Sequence, residues 1–171
     1  MYDIENNGKL IENMAEGLHI VFCKEMNRLG YKYSPVTDDT KKLHSSLVIF
    51  SELPEDEKEQ NRSNARAIRN KIESIGYKIV PLNDSMKQEQ LTNEEIEKLA
   101  VKEHQRWMKQ KIKTGWSYGP ITIKKRKLHA GIVPYEQLSE EEKNKDKILV
   151  RSIPKILQQS GYMMVNQSTK I

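Results

Sequence analysis

The sequence predicts a mainly helical α+β fold with short strands, built from two tandem copies of one small unit around a pseudo-twofold axis. One observation is a fixed period: shifted by 85 positions, residues 11–80 lie over residues 96–165 without a gap. Gly30 falls on Gly115, Pro35 on Pro120, Lys42-Leu43-His44 on Lys127-Leu128-His129, and Gly76-Tyr77 on Gly161-Tyr162. Such a period decides the architecture before any local signal does. A second observation is an apolar pattern of helical spacing that recurs in each copy. The third is that all four histidines fall in equivalent pairs, His19 with His104 and His44 with His129. A cleft between facing copies is then lined by equivalent residues from both.

Each copy reads as helix, turn, extended segment, helix. In the first, Leu10, Met14, Leu18, Phe22 and Met26 mark one face of a helix that ends at Gly30. In the second, Thr92-Asn93-Glu94-Glu95 is a capping box. It precedes Ile96, Leu99, Ala100, Trp107 and Ile112 on one side of a helix that ends at Gly115. Turns containing Pro35 and Pro120 follow. Leu47-Val48-Ile49-Phe50 and Ile132-Val133-Pro134-Tyr135 read as short extended segments, and Pro134 makes the second an edge or irregular. Ser139-Glu140-Glu141-Glu142 is another capping box, and Pro54 at the matching place suits a helix start. A helix is expected over roughly 61–75 and again over 146–160, with Pro154 bending or interrupting the second copy. The repeats are set at 1–80 and 96–165, joined by a linker at 81–95 and followed by a tail at 166–171.

Each copy has about 70 residues, near the lower limit for an independent core, so the two are expected to share apolar surface. Cys23 is the only cysteine, which excludes an internal disulfide and fits a reducing cytosol. No apolar run approaches the roughly 18–20 residues needed to span a bilayer, and no membrane partner is expected. The segment from Met1 to Lys9 is too polar for a signal peptide. The net charge of +5 is unevenly shared. Residues 11–80 carry 11 Lys/Arg and 11 Asp/Glu (11 − 11 = 0), whereas residues 96–165 carry 15 and 7 (15 − 7 = +8). The second copy is the one expected to attract an anionic partner.

Catalytic and metal motifs are missing from the sequence. Histidines do not occur at HxxxH or HxxH spacing, so no metal site and no resident cofactor is expected. Cys23 lies one helical turn after His19, but the second copy has Met108 there, and a packed thiol is the simpler reading. There is no GxSxG motif and no glycine loop to cradle phosphates. Binding chemistry is what remains, and no enzyme is expected. His19 and Phe22, like His104 and Trp107, are three apart on a helix, so a polar ring and a flat aromatic share one face. Tyr31 and Tyr33 follow in the first copy, and Trp116 and Tyr118 in the second. Arg106, Lys109, Lys111, Lys113 and the run Lys124-Lys125-Arg126-Lys127 supply cations. Aromatic faces beside cations suit a nucleotide, its base stacked and its phosphates neutralised. A structural reading stands beside this one, since aromatics at helical spacing commonly fill a core.

His104-Gln105-Arg106-Trp107, Gly115-Trp116-Ser117-Tyr118-Gly119-Pro120, Lys127-Leu128-His129 and Val133-Pro134-Tyr135, followed by Leu138, Glu142-Lys143 and Asp146, resemble the ryanodine-receptor repeat, or RyR domain. The first copy resembles a diverged member that lacks the tryptophans and the Val-Pro-Tyr. The resemblance implies a mainly helical fold of two RyR-type repeats. It implies a cleft that takes an adenine nucleotide near the tryptophan of the HxxW pattern, here Trp107, with Phe22 opposite. It further implies a stand-alone prokaryotic or phage-type protein that senses or sequesters an immune signalling nucleotide in a bacterial or phage-infected cytoplasm. The expected ligand is a nucleotide-derived small molecule: ADP-ribose-like, cyclic or ATP-like. The expected ligand-binding residues are His19, Phe22, Tyr31, Tyr33, His44, His104, Arg106, Trp107, Trp116, Tyr118, Arg126, His129 and Tyr135. The alternatives are a protein-interaction module, or nucleic-acid binding through the basic second copy; nucleic acid is the less favoured partner.

Overall fold

A computed structural model describes residues 3–171. Met1 and Tyr2, which the sequence reading assigns to the first repeat, lie outside the described residues. The first repeat runs α1 (Gly8–Arg28), β1 (Lys32–Tyr33), a 3₁₀ turn at Asp39–Lys41, β2 (Leu43–His44), a 3₁₀ turn at Phe50–Glu52, α2 (Glu55–Arg66), α3 (Ile68–Glu73) and β3 (Tyr77–Pro81). The second runs in the same order: α4 (Asn93–Lys113), β4 (Ser117–Tyr118), a turn at Lys124–Arg126, β5 (Leu128–His129), a turn at Tyr135–Gln137, α5 (Glu140–Arg151), α6 (Ile153–Gln159) and β6 (Tyr162–Asn166). The chain is thus mainly helical, with two like-ordered repeats.

Local sequence explains the long helices. Asn7 caps α1 by accepting from the Leu10 amide at 3.1 Å. Thr92 and Glu95 form a complete capping box on α4. Both helices end in a Schellman motif. Gly30 and Gly115 sit at φ 87° and 91°, where a side chain would be strained. The next amides, Tyr31 N and Trp116 N, return to Met26 O and Lys111 O at 2.9 and 3.0 Å. Each motif therefore folds an aromatic back over the last helical turn. On α4 the buried face is Ile96, Leu99, Ala100, Glu103 and His104. Ile112 is exposed rather than on that face, because at about 100° per residue it points about 160° away from Ile96 around the helix.

The second helical stretch is interrupted in both repeats, as expected near Pro154 in the second copy but not in the first. It breaks after Arg66 in the first repeat and after Arg151 in the second, giving α2 and α3, and α5 and α6. Pro154 occupies the first turn of α6, where its missing N–H is tolerated. The first repeat breaks at the same place without a proline, so packing sets the break and the proline is accommodated there. Ser139 caps α5 through the Glu142 amide at 3.2 Å, but the Glu142 side chain turns to Lys145 instead of closing the box.

The strands lie elsewhere than expected. Residues 47–50 and 132–135 form no ladder; each is a loop that enters a 3₁₀ turn. Their hydrogen-bonding capacity goes partly to histidine, as described below. The strands are two short parallel pairs, β1–β2 and β4–β5, and one antiparallel ladder between the repeats, β3–β6. Its register runs from Tyr77 opposite Asn166 to Pro81 opposite Tyr162. The central pair, Ile79 and Met164, are equivalent positions (164 − 79 = 85), so the pseudo-twofold axis passes between them. The linker is shorter than drawn from the sequence, since Pro81 closes β3 and Asn93 opens α4, and the tail loses Asn166 to β6.

Each long helix packs on the following helix of its own repeat and on the corresponding helix of the other: α1 on α2 and α5, α4 on α5 and α2. One continuous core results, with Met14, Leu18, Ile68 and Ile72 from the first repeat against Leu99, Val150, Ile153 and Leu157 from the second. Neither repeat encloses this core alone.

Candidate functional site

Where α1, α2, α4 and α5 diverge, a cavity of about 360 Å³ opens between the repeats. Its lining includes all four histidines together with Phe22, Trp107, Trp116 and Arg106. The HxxF and HxxW side chains of the two copies thus meet in one shared hollow.

The four histidines play two roles. His19 Nε2 donates to Val48 O and His104 Nε2 donates to Val133 O, each at 2.7 Å. These bonds fasten the long helices to the loops at 47–50 and 132–135. His44 and His129 are held by the other nitrogen: the Ser46 amide donates to His44 Nδ1 at 3.1 Å, and the Gly131 amide to His129 Nδ1 at 2.9 Å. A ring whose Nδ1 accepts carries its proton on Nε2. Burial, aided by Lys124, pushes the His44 pKa down to about 4. Burial, aided by Lys111, pushes His129 down to about 3. Both rings are therefore neutral near pH 7 and offer an N–H from equivalent walls. Position 131 must be small, because a Cβ there would meet His129 Nδ1 at 3.0 Å and Trp107 at 3.4 Å.

The aromatics complete two similar clusters. Trp107 stacks on His104 at 5.6 Å and 22° and meets the His129 edge at 4.7 Å. Phe22 stacks on His19 at 6.1 Å and 24° and meets the His44 edge at 5.5 Å. The Schellman turn brings Trp116 under Lys111, whose Nζ lies 3.9 Å above the ring.

Charge breaks the symmetry. Arg106 grips Glu103 through Nε and Nη2 at 2.7 and 2.9 Å, and reaches Gln60 and Ser63 across the repeats. Lys71 Nζ approaches Glu103 at 2.8 Å and Asn64 at 2.5 Å. Burial opposes the charge on Glu103, yet Lys71 and Arg106 bring its pKa down to about 2. Asp146 lies 3.6 Å from His104 Nδ1, and burial, reinforced by Glu103, pushes it up to about 8. Both causes favour the neutral acid. Lys124 reaches from the second repeat to Glu57 at 2.9 Å and to Ser45 and Ser46 at 2.7 and 3.2 Å. Ser46 in turn donates to Glu57.

Several residues expected at the site lie away from it. Tyr31 is buried, its hydroxyl donating to Asp39 at 3.3 Å, and it is not among the cavity-lining residues. Tyr33 and Tyr118 are each 55% exposed, because β1 and β4 are two-residue strands whose side chains face solvent. Tyr135 is buried beside His104 with Lys143 over its ring, packed behind the cavity wall. Arg126 is exposed: in a 3₁₀ turn of three residues per turn, Lys124 faces inward and Arg126 outward. Lys127 serves the fold, as Lys42 does. Both take left-handed φ, 52° and 54°, and cap the preceding long helix by donating to Thr114 O and Leu29 O. Arg106 lines the cavity, but its guanidinium is already engaged. Cys23 lies 3.3 Å from His19 Nε2, and burial raises its thiol pKa, opposite to what a nucleophile requires.

Asp39, Glu57, Glu142, Lys145 and Asp146 are not among the residues expected at the site, yet all line the cavity. One signal was present, since Glu57 and Glu142 are equivalent (142 − 57 = 85) and each lies one turn into a helix.

A model of the RyR domain matches this chain twice, over residues 4–81 and 83–166. The chain belongs to the RyR domain family. Its two RyR domains abut almost without a gap, and β3 and β6, their last strands, form the inter-domain ladder. The cavity therefore lies between two RyR domains, with one histidine–aromatic cluster from each.

Proposed function

We propose that this tandem RyR protein is a non-catalytic binding module for a nucleotide-derived small molecule held in the inter-repeat cavity. One observation carries the reading: two equivalent histidine–aromatic clusters, one per repeat, open into a single cavity with cations at its wall. Flat rings at Phe22, Trp107 and Trp116 offer stacking faces, and the Nε2–H groups of His44 and His129 offer neutral donors to acceptor atoms of a base or phosphate. A volume of about 360 Å³ lies within the range of small-molecule sites. Capture without turnover suits a sensor or a sequestering protein for a signalling nucleotide, such as an ADP-ribose-like, cyclic or ATP-like molecule in a bacterial or phage-infected cell. Nucleic-acid binding gains little from the 124–127 run, because Lys124 and Lys127 are tied to the protein.

The test is a panel of adenine and guanine nucleotides scored by thermal unfolding at low salt. A true ligand at 100 times its dissociation constant should stabilise the fold by about 2.7 kcal/mol. Trp107→Ala should abolish that shift while the protein remains folded. Silence across the whole panel sinks the reading.

A further inference from the structure

The two ends of the cavity match in their rings but not in their charges. Met26 in the first repeat corresponds to Lys111 in the second (111 − 26 = 85), and Asp39 corresponds to Lys124 (124 − 39 = 85). All four line the cavity. Lys111 Nζ lies over Trp116 and 5.9 Å from the Trp107 centroid, and no ion pair is formed by it among the described residues. Burial lowers its pKa, as expected of an ammonium in want of an anion. Lys124 stands nearby, answered by Glu57. At the other end Lys145 lies 5.4 Å from the Tyr31 centroid and pairs with Glu142 at 2.8 Å, with the Asp39 carboxylate close to both. Among the lining residues, one end therefore sets two ammonium groups against one carboxylate, and the other sets two carboxylates against one ammonium.

We infer that the cavity takes its ligand in one orientation: a nucleoside-sized molecule with its phosphate at one end, against Lys111 and the His129 Nε2–H, and its hydroxyl- or amine-bearing end toward Asp39 and Glu142. This rests on the proposed function and assigns a polarity to the same site. A ligand with twofold symmetry, such as a symmetric cyclic dinucleotide, would match the shape of the repeat. It would also set a phosphate against Asp39 and Glu142, where like charge repels. The volume, near the small end of ligand sites, favours one nucleoside over two.

Trp107 and Trp116, the two tryptophans of the chain, both line the cavity, so intrinsic fluorescence reports binding directly. The probes are adenosine, AMP, inorganic pyrophosphate and cyclic di-AMP, against the parent protein and Lys111→Met. This variant copies the residue that the first repeat already carries, and a melting curve confirms its fold. AMP and pyrophosphate should each weaken by about tenfold or more in the variant, as for loss of a charge-assisted contact. Adenosine should be unchanged, and cyclic di-AMP should bind the parent more weakly than AMP does. Equal affinity for AMP in the two proteins, or cyclic di-AMP binding as tightly as AMP, overturns the polarity and leaves the nucleotide reading standing if adenosine binds. Lys111-dependent binding of pyrophosphate without any binding of adenosine keeps the anionic end and rejects the nucleoside. A parent protein that binds none of the four overturns both.

Discussion

Lys71 of the first repeat and Glu103 of the second face each other at 2.8 Å with both side chains almost wholly removed from solvent. The equivalent positions across the axis are Ile156 and Leu18 (156 − 71 = 85; 103 − 18 = 85), and both belong to the apolar core. One repeat interface thus solves with an ion pair what the other solves with hydrocarbon. Lys71→Met removes one partner and leaves Glu103 buried with Arg106 alone. The expected cost is about 3 kcal/mol, read from urea unfolding. The triple variant Lys71→Ile, Glu103→Leu, Arg106→Val writes the residues of the equivalent positions, Ile156, Leu18 and Val21, into this interface. It should recover most of that loss, and a triple variant less stable than Lys71→Met would show that the charges hold the interface together.

The core and the β3–β6 ladder are both shared, so each RyR domain by itself lacks part of its packing. Fragments 4–81 and 83–171 should each show little cooperative unfolding by circular dichroism, and an equimolar mixture should regain helix and a sharp melt. A cooperative melt of either fragment alone would contradict this expectation.

Two kinds of buried titratable group give stability a pH dependence of opposite sign. His44 and His129 have folded pKa values of about 4 and about 3, below the ordinary 6.5. The unfolded chain binds more protons than the folded one below about pH 6.5, so their contribution is lost as pH falls toward the folded values. Asp146 is raised to about 8 from an ordinary 3.8. The folded chain holds this proton longer, so its contribution is present at low pH and is lost as pH rises toward 8. Asp146→Asn removes that second loss and can still donate toward His104. The melting temperature of the variant should exceed that of the parent at pH 8, with a gap that closes by pH 4; a gap independent of pH would refute the assignment.

Lys124 links the loop of one repeat to Glu57, Ser45 and Ser46 of the other. The contact is partly exposed, so Lys124→Ala should cost only about 1 kcal/mol. Its larger effect should be local. Amide hydrogens of residues 122–131 should exchange faster in the variant, while those of α4 keep their protection. Unchanged exchange in the loop would mean that the link does not restrain the cavity wall.

Local chain signals were enough for the doubling, the long helices with their capping residues and glycine ends, and the pairing of histidine with an aromatic ring on one helical face. These depend on contacts three to five residues apart, and chain geometry imposes such contacts wherever the sequence recurs. The docking of the repeats settled that Tyr31 and Tyr135 pack behind the wall, that Tyr33, Tyr118 and Arg126 face outward, and that the strands lie at 77–81 and 162–166. It also decided the charge of the site. Asp39, Glu57, Glu142 and Lys145 sit on elements that read as solvated surface until the opposite repeat closes over them. The Lys124–Glu57 contact spans 67 residues of chain and the Lys71–Glu103 contact spans 32. Whether such residues meet depends on how one repeat docks against the other, and that docking is set by the shared core, in which no local stretch of chain is sufficient.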